Sequence, residues 1–119
     1  MDQVQMKART KAFANRCIAV CDILPPTRQG LRFADQLFRA GTAVGANYRA
    51  ACRGRSKAEF LAKLGVVLEE ADESQYWLEL IADNRRAPAD RVEPLMKEAN
   101  ELVSILVATI NTCRGNRDT

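Results

Sequence analysis

The sequence predicts an all-α fold, an antiparallel up-down-up-down four-helix bundle forming a single domain over residues 1–119, and three observations carry that prediction. Apolar residues recur at spacings of three and four along most of the chain, the period of a helix with one buried face. Ala, Leu, Glu, Arg and Lys dominate, whereas β-branched and aromatic residues never gather into short alternating runs. Chain breakers cluster at the places where one periodic stretch gives way to the next.

The first helix is expected over about 4–23, because Met6, Phe13, Cys17, Val20, Cys21 and Leu24 fall on one side. Leu24-Pro25-Pro26 ends it, since proline lacks a backbone donor and restricts the residue before it. Thr27 is placed to cap a second helix over about 28–53, with a core face of Ala34, Leu37, Phe38, Gly41, Val44, Tyr48, Ala51 and Cys52. Gly54 then supplies a stop. Ser56 with Glu59 three residues later forms a capping box before Phe60-Leu61. A third helix over about 57–83 follows, with an inward stripe of Phe60, Leu64, Val67, Leu68, Ala71 and Leu78. Pro88 sits near the first turn of a fourth, over about 88–113, burying Val92, Leu95, Met96, Ala99, Leu102, Val103, Leu106 and Ile110. Connections of a few residues force consecutive helices to run antiparallel.

Composition narrows the function. With 119 residues and 47% hydrophobic content the chain is long enough for one core and too short for two. It contains no histidine, the commonest general base at neutral pH and the commonest metal ligand, so neither catalysis nor a metal is expected. Cys17, Cys21, Cys52 and Cys113 lie inside apolar helical patterns and read as small core residues of a reducing compartment. No stretch approaches the roughly 20 apolar residues of a membrane span, and the N-terminus has no secretory core. A cytoplasmic address with no membrane partner is the expectation. Glu69, Glu70, Asp72 and Glu73 supply carboxylates on one helix only, which suits a charged face better than an acid–base pair across a cleft. Gly41-Thr42-Ala43-Val44-Gly45 lies mid-helix, so the two glycines suit close helix packing rather than phosphate binding, and no cofactor or small-molecule substrate is expected.

Charge is distributed unevenly. The formal net charge is only +3, yet Arg28 to Lys57 carries seven bases against Asp35, and Ala58 to Asp83 carries seven acids against Lys63. On the second helix Arg28, Arg32, Arg39, Arg49 and Arg53 fall within about 100° of one another, opposite the apolar stripe. This ridge reads either as a solvated face or as a surface for phosphates, which suit the arginine fork. On the third helix Val66, Trp77 and Leu80 form a second apolar side among Glu59, Glu70 and Glu73. That strip reads either as the edge of the core or as a subunit contact. Together the two faces suggest a head-to-tail homo-oligomer in which Arg39, Arg49 and Arg53 of one copy meet Val66, Glu70, Glu73, Trp77 and Leu80 of the next. RNA or DNA would then find its phosphate contacts among Arg28, Arg32, Arg85, Arg86, Arg91, Arg114 and Arg117.

Four stretches carry a family resemblance: Arg9 to Ala14, Gln36 to Arg49, Ser56 to Phe60 and Glu70 to Leu78. Through them the chain, from about Lys7 to Ile110, resembles the four-helix bundle proteins also called 23S rRNA intervening-sequence proteins. The resemblance implies a four-helix bundle that assembles with itself, in some members as a ring-shaped pentamer. It also implies nucleic-acid binding as in the similar accessory proteins of diversity-generating retroelements, and it brings no agreed enzymatic activity with it, in keeping with the expectation of a non-enzyme. The chain departs from the family pattern at Ala43, where relatives often carry serine, and at Ala50, where glutamate is common; the second change makes the ridge more positive.

Overall fold

The computed structural model describes residues 1–115, and four helices account for nearly all of them: α1 (Gln3–Ile23), α2 (Arg28–Cys52), α3 (Lys57–Asp83) and α4 (Ala89–Cys113). Their boundaries follow side-chain chemistry. Asp2 caps α1 by accepting from the Gln5 amide at 2.8 Å, and Gln5 Oε1 accepts from the Asp2 amide at 3.0 Å, a reciprocal box that satisfies two otherwise orphaned donors. Thr27 caps α2 by accepting from the Gly30 amide, as its position predicted. Ser56 Oγ accepts from the Glu59 amide at 3.1 Å, but Glu59 reaches back to the amide of Arg55 rather than of Ser56, so the expected box closes one residue upstream. Between α3 and α4 the chain reverses through Arg85, whose φ of 52° lies in the left-handed region. Pro94 lies inside α4 and leaves the Asp90 carbonyl without its usual partner four residues on.

Each helix packs along its sequence neighbours, and α1 meets α4 along a thinner seam that closes the square. The α1/α2 edge is therefore opposite the α3/α4 edge. The longest dimension, 47 Å, is close to the length of one helix. Phe13, Cys17, Leu37, Val44, Leu64, Val67, Leu78, Ile81, Leu95, Leu102 and Leu106 form the fully buried centre. Gly41 brings α2 against α1 so closely that an added Cβ would lie 2.7 Å from Cys17 Sγ and 2.8 Å from its Cβ. Among the described residues the two buried polar side chains, Thr10 and Ser74, bond back to carbonyls of their own helices, Met6 at 2.9 Å and Glu70 at 2.7 Å. Arg9 ties the α1–α4 seam: Nε and Nη2 donate to the two oxygens of Glu98, each at 2.7 Å, and Nη2 also donates to Glu101 at 2.7 Å.

Two expectations about the core need correction. Phe38, assigned inward on α2, is 48% exposed. It follows Leu37, which is fully buried, and the step of about 100° to the next residue turns the large Phe38 side chain to the flank of α2. Of the four cysteines only Cys17 is fully buried; Cys21 and Cys52 pack half-buried against the core, and Cys113 is half-buried near the end of α4.

Candidate functional site

The functional interest of the chain lies on the outward faces of α2 and α3 and in the grooves beside them. All five arginines of the α2 ridge, Arg28, Arg32, Arg39, Arg49 and Arg53, are exposed. Arg39 differs from the rest. Its Nη1 donates to Glu70 at 3.3 Å, and its Nη2 donates to Glu73 Oε2. Trp77 Nε1 donates to the same Glu73 oxygen at 3.0 Å. The two bonds hold the Glu73 carboxyl below the usual carboxylate range, the indole N–H more than the guanidinium, and the same carboxylates hold the Arg39 guanidinium protonated.

The pairing of Arg39 with Glu70 and Glu73, expected between subunits, is thus made within the chain. The physical reason is the α2/α3 seam: Arg39 flanks it from α2 and Glu70 and Glu73 from α3, so the ion pairs close across one groove of one molecule. Trp77 is half-buried on this seam. Its ring packs against the core, 6.4 Å from the Phe33 ring of α2 and 5.4 Å from Tyr76 in an edge-on arrangement. Val66 and Leu80 are half-buried as well, and Val66 lines the α2/α3 groove with Ala50, Arg53 and Lys63.

On the opposite flank of α2 the structure assembles a cluster that no single helix displays. Lys7 and Lys11 of α1 line one groove of about 510 Å³ with Arg49 and Arg53 of α2, and its remaining surface is small: Ala14, Thr42, Gly45 and Ala46 among others. All four cations are exposed. Sequence reading missed Lys7 and Lys11, although their spacing of four places them on one face of α1.

The remaining candidate arginines are scattered. Arg28, Arg32, Arg85, Arg91 and Arg114 are exposed at several places on the surface. Arg86 is half-buried, and its guanidinium donates to Gln29 at the start of α2, so it ties the α3–α4 turn to that helix. Arg117 lies outside the described residues. Among the described residues there is no group of three or more His, Cys, Asp or Glu placed to hold a metal ion, and no helix is long and apolar enough to cross a membrane. Burial raises the Cys17 thiol well above its usual range, and it pushes the Cys21 thiol up to about 11 while Cys21 Sγ donates to the Ala34 carbonyl at 3.3 Å.

No curated protein matches the sequence. Among solved structures, a protein with unknown function from the S23 ribosomal protein family of Bacteroides thetaiotaomicron VPI-5482 superposes with a TM-score of 0.85. The two share 30% sequence identity over 93% of this chain and 99% of the other. The family described as 23S rRNA-intervening sequence protein matches residues 2–108. That span, which takes in most of the four-helix bundle, shows that the chain belongs to the 23S rRNA-intervening sequence protein family.

Proposed function

We propose that the chain is a non-enzymatic, homo-oligomeric helical unit that acts as a scaffold or adaptor in the cytoplasm. One observation carries this reading: a closed core leaves seven large apolar side chains outside it among the described residues, four of which lie within α2, α3 and α4. Leu31 is 56% exposed, Tyr76 53%, Phe38 48% and Val107 41%. Full burial of such a side chain is worth about 1.5–3 kcal/mol, and folding of the monomer realises only about half of it, leaving the rest for assembly to supply. Family resemblance supports a ring as the form of the assembly, with a pentamer as the size to test first. Light scattering on the purified protein tests the reading; a monomeric mass at about tens of micromolar, where interfaces of ordinary affinity are filled, refutes it.

A second reading, an RNA- or DNA-binding module, is favoured by the exposed arginines Arg28, Arg32, Arg91 and Arg114, which have no ion-pair partner among the described residues. Binding through phosphates releases counterions, so affinity must fall steeply with added salt and vary little with sequence. An affinity independent of salt removes this reading.

A further inference from the structure

We propose that the basic α1/α2 groove is the docking site for the acidic α3/α4 face of a second copy of this chain. The inference rests on the self-assembly reading and replaces the α2-against-α3 match that the sequence suggested. Arg39, Glu70 and Glu73 are already paired within the monomer, so the charges available for a neighbour lie elsewhere.

They lie on opposite sides of the square. Lys7, Lys11, Arg49 and Arg53 gather in the α1/α2 groove, where none has an ion-pair partner among the described residues. Across the bundle, Glu69, Asp72, Glu79 and Asp83 of α3 recur at spacings that keep them on its outer, α4-facing side, and all four are exposed. Glu93 of α4 is exposed too, with Lys97 one turn along. The carboxylates likewise have no ion-pair partner among the described residues.

Each face also carries apolar anchors. Leu31 and Phe38 stand on the α1-facing side of α2, about three turns and one turn before Thr42 of the groove. Tyr76 stands among the α3 acids, and Val107 is exposed on α4. The groove surface at Ala14, Thr42, Gly45 and Ala46 is small enough to admit a helix closely, which suits a protein helix better than a stack of bases. Opposite charge on opposite faces gives a heterologous contact, which repeats from copy to copy and closes when the rotation allows.

Complementary charge reversal tests the proposal. One variant carries Lys11→Glu with Arg49→Glu; the other carries Asp72→Lys with Glu79→Lys. All four positions are exposed, and circular dichroism checks that both variants keep wild-type helicity. The expected result in nuclease-treated samples is a multimeric wild type, a monomeric mass for each variant alone, and a multimeric mass again when the two are mixed. A pair of neutral variants, Lys11→Gln with Arg49→Gln and Asp72→Asn with Glu79→Gln, repeats the test should a reversed chain fail to fold, and each is expected to weaken assembly at least tenfold. A multimeric wild type whose variants keep its mass overturns this interface and leaves self-assembly standing. Variants that become monomeric but do not recover on mixing overturn the pairing of these two faces. Assembly lost on nuclease treatment assigns the groove to phosphates instead and overturns the proposal. A monomeric wild type refutes the underlying reading and the interface with it.

Discussion

Replacing Gly41 by alanine sets two effects of known sign against each other, and Gly65 isolates them. In a helix interior alanine is favoured over glycine by about 1 kcal/mol, because glycine loses more backbone freedom on folding. At Gly65 an added Cβ meets nothing within 4 Å, so Gly65→Ala should stabilise by about 0.5–1 kcal/mol. At Gly41 the same methyl lands 2.7 Å from Cys17 Sγ and 2.8 Å from Cys17 Cβ. Rotating the thiol relieves only the first contact. The second is fixed to the backbone, so α1 and α2 must separate, and overpacking of this kind costs about 1–3 kcal/mol. Gly41→Ala should therefore lie about 1–3 kcal/mol below Gly65→Ala, with wild type between them or close to the former. Urea denaturation of the three proteins at one concentration measures this, with equal m-values required for the comparison. If Gly41→Ala gains as much as Gly65→Ala, the close α1–α2 approach is wrong.

Ser56→Ala removes the acceptor for the Glu59 amide and should lower stability by about 1 kcal/mol in the same assay, with Ser56→Asp close to wild type. Arg9→Met breaks the charged tie to Glu98 and Glu101; since Arg9 and Glu101 are partly solvated, the loss should be about 1 kcal/mol, and Arg9→Lys should not fully restore it because an ammonium lacks the two-pronged fork. Glu73 has a depressed folded-state carboxyl, so its contribution is present above the ordinary glutamate range and fades as pH falls through the lower folded value. Glu73→Gln should therefore lose stability at pH 7 and little at pH 2, by less than about 1 kcal/mol given how exposed Arg39 is; an equal loss at both pH values counts against the linkage. Alkylation at pH 8 should modify Cys113 and Cys52 first, Cys21 slowly and Cys17 only on unfolding, because the thiolate is the reactive form and burial suppresses it at Cys17 and Cys21. Peptide mapping reads the order, and early labelling of Cys17 would show that the core is not closed.

Helix ends were legible wherever a single side chain does the capping, as at Thr27 and Ser56. The box at Asp2 and Gln5 is not legible from periodicity, because the apolar pattern starts at Val4 whereas polar residues make the cap. Phe38 shows the limit of periodicity: hydrophobicity names candidates for a stripe, and only the position of the neighbouring helix decides which of two adjacent large residues is taken inside. The outward faces show a deeper limit. A helical wheel correctly placed Arg39, Glu70 and Glu73 away from the centre, but it holds no information on which flank meets which. That decides whether opposite charges meet inside one chain or between chains. Lys7 and Lys11 went unread for the same reason, since their partners in the groove are some forty residues away in sequence. Pro94 fell inside a stretch whose apolar period continues on both sides, and the helix there forgoes a hydrogen bond to keep that period.

The thin α1–α4 seam bears on the order in which the chain folds. Three of the four seams join helices that follow one another, so each forms as a local hairpin with a short loop to close. Only the α1–α4 seam, where Arg9 meets Glu98 and Glu101 across separations of 89 and 92 positions, joins helices from the two ends of the chain. The entropy of closing such a loop grows only logarithmically, by about 0.6 kcal/mol per doubling of length, yet it must be met before that sparse seam returns anything. Three hairpins should thus zip early, leaving an open sheet of helices that rolls shut last. By the same reasoning, α1 swinging away from α4 is the least costly way for the folded bundle to come apart.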